Sequence, residues 1–230
     1  MKKLLILFTL LLGPVAMAQV EVVEKSYAFK GQELDIDVEL GSKIKVNSWD
    51  KNEIAVKISY AVNGGKSNDA VEVDLDDYSD RLAIDVNVSE RKMMSEEYCC
   101  CKEGNSTVWN KRGRSKGCIE MVVEISAPAT ADVRVKSVIS DVIVEGMNGN
   151  VEIETVTGII DLSWDKNNGA AVNMKTVTGD VYTNIDFDRK KEKGLQLISS
   201  HEVNGTLNNG GKEIFLKTVT NDIYFRKTDK

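Results

Sequence analysis

Four cysteines are the residues of this chain with the most reactive side chains. Cys99, Cys100 and Cys101 are consecutive, and Cys118 follows on the next strand-like stretch. In an exported protein four thiols point to disulfides rather than free nucleophiles, with three connectivities open. Cys118 joined to Cys99 or Cys101 is the expected bridge, stapling the insert to the strand that follows it; pairing the other two requires a tight, strained ring. A zinc site is the sharper alternative, yet three adjacent thiolates do not easily converge on one tetrahedral centre, and the C-x₂₋₄-C spacing is missing. Mixed pairing and free thiols stay open.

The remaining chemistry is sparse. His201 is the one histidine, in the polar run Ser199-Ser200-His201-Glu202, which weakens any Ser-His-Asp proposal. No nucleophile elbow, zincin or P-loop pattern occurs. Asp141, Asp180 and Asp222 occupy matching positions after turns. Neighbouring carboxylates serve as an acid/base pair on a glycan or hold calcium in other proteins, but Asp is also simply a good turn former. Thr155-x-Thr157, Thr176-x-Thr178 and Thr218-x-Thr220 form two threonine files, an arrangement found on ice-binding faces and one that strand propensity alone also produces. The segment from Lys102 to Gly117 holds five basic residues and one acidic one. Within it Trp109, Lys111, Arg112, Arg114 and Lys116 make a basic, aromatic loop suited to gripping an anionic group or a partner. No catalytic, cofactor-binding or metal-ligating residues are assigned, and no cofactor is expected.

The elements that would position these groups come from a repeat. Lys175-Thr176-Val177-Thr178-Gly179-Asp180-Val181-Tyr182 is matched by Lys217-Thr218-Val219-Thr220-Asn221-Asp222-Ile223-Tyr224 and by Glu154-Thr155-Val156-Thr157-Gly158. A worn copy runs from Lys136-Ser137-Val138 to Ile143. The central valines lie 18, 21 and 42 residues apart, so a further degenerate copy is expected near Leu195–Ser199. Each copy reads as strand, turn, strand: β-branched residues alternate with period two, and Gly-Asp supplies the turn. A unit this short cannot bury its own apolar face, so stacking copies about 4.8 Å apart is required to build a core. The fold expected is all-β, a β-solenoid or β-roll. An antiparallel sandwich of look-alike hairpins is the rival.

Upstream, Leu34, Ile36, Val38 and Leu40 alternate with acidic residues, Gly41-Ser42 turns the chain, and further strands follow to Val88. Residues 89–117 break the pattern and read as an insert, and Cys118–Ile125 resumes it. The organisation expected is a signal peptide over 1–18, an N-terminal β region over 19–126 bearing the insert, and a continuous C-terminal repeat region over 127–230.

Met1-Lys2-Lys3, the apolar run Leu4–Leu12 and Ala16-Met17-Ala18 have the form of a cleaved export signal. The run is too short to span a bilayer. Cleavage after Ala18 removes two lysines and takes the formal charge from −6 to −8. That acidic balance argues against nucleic-acid binding. An exported protein of the bacterial periplasm or cell surface is expected, with no transmembrane segment after cleavage.

Gly41-Ser42-Lys43-Ile44-Lys45-Val46, Trp49-Asp50-Lys51-Asn52-Glu53-Ile54, Ile125-Ser126-Ala127-Pro128 and the Thr-Gly-Asp repeats, in that order, resemble the bacterial "putative adhesin" β-strand-repeat family, a domain of unknown function. The likeness covers most of residues 30–226. It implies an exported, all-β repeat domain without known catalytic residues. The cysteine-bearing insert lies outside the family pattern. Three roles follow as expectations: a non-enzymatic binding module for an envelope glycan, an anionic surface polymer or a protein; a structural or envelope-stress signalling protein; and a glycan-active enzyme using Asp180 and Asp222.

Overall fold

The computed structural model describes residues 20–94, 107–111, 115–189 and 201–228. Its strands are β1 Glu21–Ala28, β2 Glu33–Trp49, β3 Glu53–Val62, β4 Val71–Asp77, β5 Arg81–Val88, β6 Thr107–Lys111, β7 Ser115–Pro128 and β8 Val133–Glu145. They continue as β9 Val151–Thr157, β10 Ile160–Trp164, β11 Ala170–Thr176, β12 Val181–Thr183, β13 Asp188–Arg189, β14 His201–Leu207, β15 Lys212–Thr220 and β16 Ile223–Lys227. One α-helical turn, α1, spans Glu90–Met93.

The repeats pair parallel and in register. Thr155 lies opposite Ser137 on one side and Thr218 on the other. Lys175 lies opposite Lys217, and Val181 opposite Ile223. Each copy is therefore a bent rung of two arms. First arms run β8, β9, β15, β11, and second arms run β8, β10, β16, β12. Inward residues of both arms, among them Val135, Ile153, Leu216 and Met174 on the first and Val144, Leu162 and Phe225 on the second, belong to one buried cluster.

Two features differ from the sequence expectation. The all-β class holds, but a closed β-solenoid or β-roll is not shown: the sheet is mixed and open. β7 joins the second arm of β2 in parallel, and antiparallel pairs extend the sheet from there, β3 on β7 and β1 on β3, as do β4 on β5 and β14 on β11. The rungs also do not stack in chain order. The coil at 212–227 lies between those at 151–164 and 170–183. β14 then pairs antiparallel with β11, and the two-residue strand β13 follows it in the sheet. The degenerate copy expected near 195–199 lies outside the described residues.

A fifth rung went unrecognised in the sequence. β2 pairs with β8 along both arms, with a register shift between Leu40 and Lys43 where the chain bends. Gly41 stands at that bend because a Cβ there would meet the Ser140 hydroxyl.

The insert is rooted in the core. Met93 is buried. Asn63, at φ 50°, donates from Nδ2 to the Met93 carbonyl at 2.7 Å and accepts from the Cys118 N–H at 3.1 Å. β6 forms a hairpin with the start of β7. The helical turn α1 and the β6–β7 pairing thus give both ends of the insert regular structure.

Candidate binding face

The Thr-Val-Thr-Gly motif makes the corner between the arms. Its first threonine points inward: Thr155, Thr176 and Thr218 are buried, as is Ser137 in the worn copy. A buried hydroxyl needs a partner, and each finds a carbonyl at the bend. Thr218 Oγ1 donates to Thr220 O at 2.9 Å, with Gly158 O also in reach at 3.2 Å, Thr176 Oγ1 to Asn221 O at 2.9 Å, and Ser137 Oγ to Val38 O at 2.7 Å. These bonds stitch each corner to itself or to the next rung. The glycine is required by close approach. A Cβ on Gly158 would sit inside the carbonyl oxygen of Ser140, and one on Gly179 inside that of Asn221. Where the third copy has Asn221 instead, the backbone takes φ 95°, a region Asn tolerates better than most residues.

Half of the expected threonine array is therefore structural, and the residue between the threonines is the one that faces out. Val138, Val156, Val219 and Val177 are 42, 46, 37 and 46% exposed. The registers of the flanking residues put them in one file across four rungs, in that spatial order. Ile159, also exposed, adjoins the file on the second-arm side.

The second arms carry the other outward feature. Ile143, Asp161, Tyr224 and Tyr182 lie side by side across β8, β10, β16 and β12. The two tyrosine rings stack with centroids 5.1 Å apart and planes 14° from parallel. Arg226 Nε donates to Asp161 Oδ1 at 2.9 Å and its Nη2 to Oδ2, a bidentate pair beside the rings. A shallow depression of about 310 Å³ lies between Ile143, Ile159, Asp161, Tyr224 and Arg226. A second, of about 300 Å³, shares Arg226 and reaches Asn184. Asp180 and then Asp222 hold the Tyr182 phenol above its ordinary value by charge repulsion. Loss of solvent, then Asp222, does the same for Tyr224. Both phenols therefore stay protonated and neutral at physiological pH.

No family model matches this chain, and no curated relative does. Among solved structures it is similar to a "putative cell adhesion protein" from Clostridium sporogenes, with a TM-score of 0.51 and 12% identity over 91% of this chain and 100% of that one. Weaker likenesses are to a "putative adhesin" from Parabacteroides merdae, TM-score 0.28 and 8% identity over 62% of this chain and 52% of that one, and to one from Bacteroides fragilis, TM-score 0.27 and 10% identity over 90% and 97%. At these identities the first likeness is one of fold, and the other two carry no argument. The family resemblance read from the motifs is compatible with the fold of the first neighbour, and neither a family model nor a sequence relative confirms it.

The residues singled out in the sequence fare unevenly. Asp222 and Asp141 do turn chemistry across rungs: Asp222 Oδ1 accepts from the Asp180 N–H at 2.9 Å, and Asp141 Oδ1 from the Ile159 N–H at 2.9 Å. Asp222 Oδ2 also accepts from the Tyr224 hydroxyl at 3.3 Å. Among the described residues no group of three His, Cys, Asp or Glu is placed to hold a metal. His201 begins β14, opposite Thr176, rather than sitting in a turn. Cys118 is buried in β7, and Cys99, Cys100 and Cys101 lie outside the described residues. So do Arg112 and Arg114. Trp109 and Lys111 fall on β6, paired with Gly117 and Ser115, and Lys116 pairs with Asn110. The valine file and the tyrosine pair were missed as a surface. Their signal was present: each tyrosine stands two residues after the turn aspartate in both full copies.

Proposed function

We propose that this is an exported, non-enzymatic, adhesin-like binding module of the bacterial periplasm or cell surface, and that its contact surface is the valine file with the adjoining outer face of the second arms. The carrying observation is the file itself. Four valines in register, each more than a third exposed, form a contiguous apolar strip bordered by polar residues, a pattern that marks interaction sites. Asp141 and Asp222 each accept a backbone N–H from the neighbouring rung, the work of turn formers, which favours binding over glycan cleavage. The fold shared with a protein described as a "putative cell adhesion protein" agrees with this direction.

The finer parts of the reading are these. The signal peptide is cleaved after Ala18. Cys118 is bridged to Cys99 or Cys101, fastening the insert to β7. The repeats behave as coils of a roll, each supplying one rung. Trp109, Lys111, Arg112, Arg114 and Lys116 add a second, cationic contact. Among the described residues no helix is long and apolar enough to cross a membrane.

The test is retention on isolated bacterial envelopes. Val156→Asp with Val219→Asp places charge on the strip without touching the core, and should abolish retention while leaving the unfolding free energy within about 1 kcal/mol of wild type. Retention unchanged by the double variant, or absent in the wild type, overturns the reading. A deletion testing the insert should spare Met93 and Ser115–Cys118, which belong to the packed fold.

A further inference from the structure

We propose that the outer face of β8, β10, β16 and β12 holds a subsite for a neutral glycan chain, with Tyr182 and Tyr224 as its stacking platform. This deepens the contact-surface reading above and rests on it. Among the described residues β12 pairs with β16 alone, so there Tyr182 stands on the last second arm, 48% exposed, with Tyr224 stacked behind it. A rigid aromatic pair in that position offers its apolar surface to the C–H face of a pyranose ring, at the low entropy cost of two-torsion side chains.

The polar groups around the rings suit hydroxyls. The bidentate contact with Arg226 fixes the Asp161 carboxylate. Asp222 is held by the Asp180 N–H and the Tyr224 hydroxyl. A carboxylate has about four acceptor positions, so both retain capacity for a sugar hydroxyl, and such bonds are charge-assisted. Because their positions are already set, little ordering remains to be done on binding. Ile143 and Ile159 give an apolar floor to the depression beside Tyr224.

Length and charge narrow the class. From β8 to β12 is three rung steps, roughly 14 Å at the usual strand spacing, which fits a short oligosaccharide better than a single sugar. Asp141, Glu145, Asp161, Asp180 and Asp222 stand on or beside this face, against Lys43, Lys45, Arg226 and Lys227, a small negative balance. The excess of negative charge repels phosphate and uronate polymers. A neutral chain meets acceptors and an aromatic shelf and no repulsion.

The full-length protein should be assayed on immobilised neutral oligosaccharides (hexose and N-acetylhexosamine oligomers) and on uronate- and phosphate-bearing ones. Binding to at least one neutral chain is expected. Tyr182→Ala with Tyr224→Ala should weaken it at least tenfold, and the double Phe variant, which keeps the rings, should retain most of it. Circular dichroism melts of each variant guard against misfolding. Binding confined to anionic glycans, no binding to neutral ones, or neutral binding indifferent to the Ala pair each overturn the proposal. So does an envelope protein, rather than a glycan, captured in a tyrosine-dependent way. Envelope retention lost with the valine-strip variant but kept with the Ala pair sinks the glycan subsite alone. A wild-type protein that is not retained at all sinks the contact-surface reading itself.

Discussion

The two arms of each rung share one core and one corner, yet their outer faces are composed differently. On the first arms a single cross-strand row reads Asp74, Asp85, Asp37, Lys136, Glu154, Lys217, Lys175 and Glu202, from β4 to β14. Over the repeats it is closed by ion pairs: Lys217 to Glu154 at 2.7 Å and Lys175 to Glu202 at 3.4 Å, with Arg134 to Glu152 at 3.6 Å in the next row. On the second arms the corresponding row begins with Glu24, Lys57, Glu124 and Lys45, likewise paired, and then changes to Ile143, Asp161, Tyr224 and Tyr182. The same backbone thus presents a solvated, charge-satisfied wall on one side and an aromatic shelf on the other. Core formation does not distinguish them, so the difference belongs to what each face meets.

The acidic end of the first row is the exception within the wall. Asp74, Asp85 and Asp37 stand directly opposite one another. Burial first, and then Asp37, Asp35, Asp74 and Asp76, push the Asp85 carboxyl above its ordinary value. A carboxyl whose pKa is raised on folding favours the native state most at low pH, and that contribution is lost as the pH rises through the folded value.

The largest break in the comparison comes from the element both faces share. Gly158→Ala forces a Cβ into the Ser140 carbonyl at φ 150°. It should cost about 3 kcal/mol in urea unfolding, and both faces should loosen together, read as faster amide exchange in β9 and β10 alike. Loss confined to one arm would mean that the corner does not couple them. A smaller effect sharpens the contrast inside the wall. Asp85→Asn should stabilise by about 0.5–1 kcal/mol at pH 7, a gain that vanishes as the pH falls below the carboxylate range. Lys217→Met, which removes a satisfied charge, should cost less than about 1 kcal/mol and lose its effect in high salt.

Much of this was legible in the sequence, and the gaps have physical causes. The Thr-Val-Thr copies announced parallel, in-register rungs because their period-two pattern restarts after each Gly-Asp or Asn-Asp. β2 was not recognised as a rung because Val38-Glu39-Leu40-Gly41 keeps only the alternation and the glycine: Val38 replaces the corner hydroxyl and supplies a carbonyl to Ser137 instead. Rung order was hidden because parallel pairing depends on which faces match, not on which segment comes next. Of the two threonine files, the first lies inside, in phase with the buried residues of its own arm, and the bend then exchanges the inward and outward sets. At the site, the turn aspartates drew attention as chemistry, while the tyrosines two residues later carried the surface.

The insertion of coil 212–227 between the two earlier coils puts Val219 between Val156 and Val177, and Tyr224 beside Tyr182. Cysteine cross-linking tests this most directly. Neighbouring parallel strands place Cα atoms about 4.8 Å apart, within disulfide reach, and next-nearest strands about twice that, beyond it. Val156→Cys with Val219→Cys should oxidise to an intramolecular bridge found by peptide mass mapping, as should Val219→Cys with Val177→Cys, while Val156→Cys with Val177→Cys should not. A ready 156–177 bridge together with no 156–219 bridge would contradict the rung order, and with it the strip and the shelf.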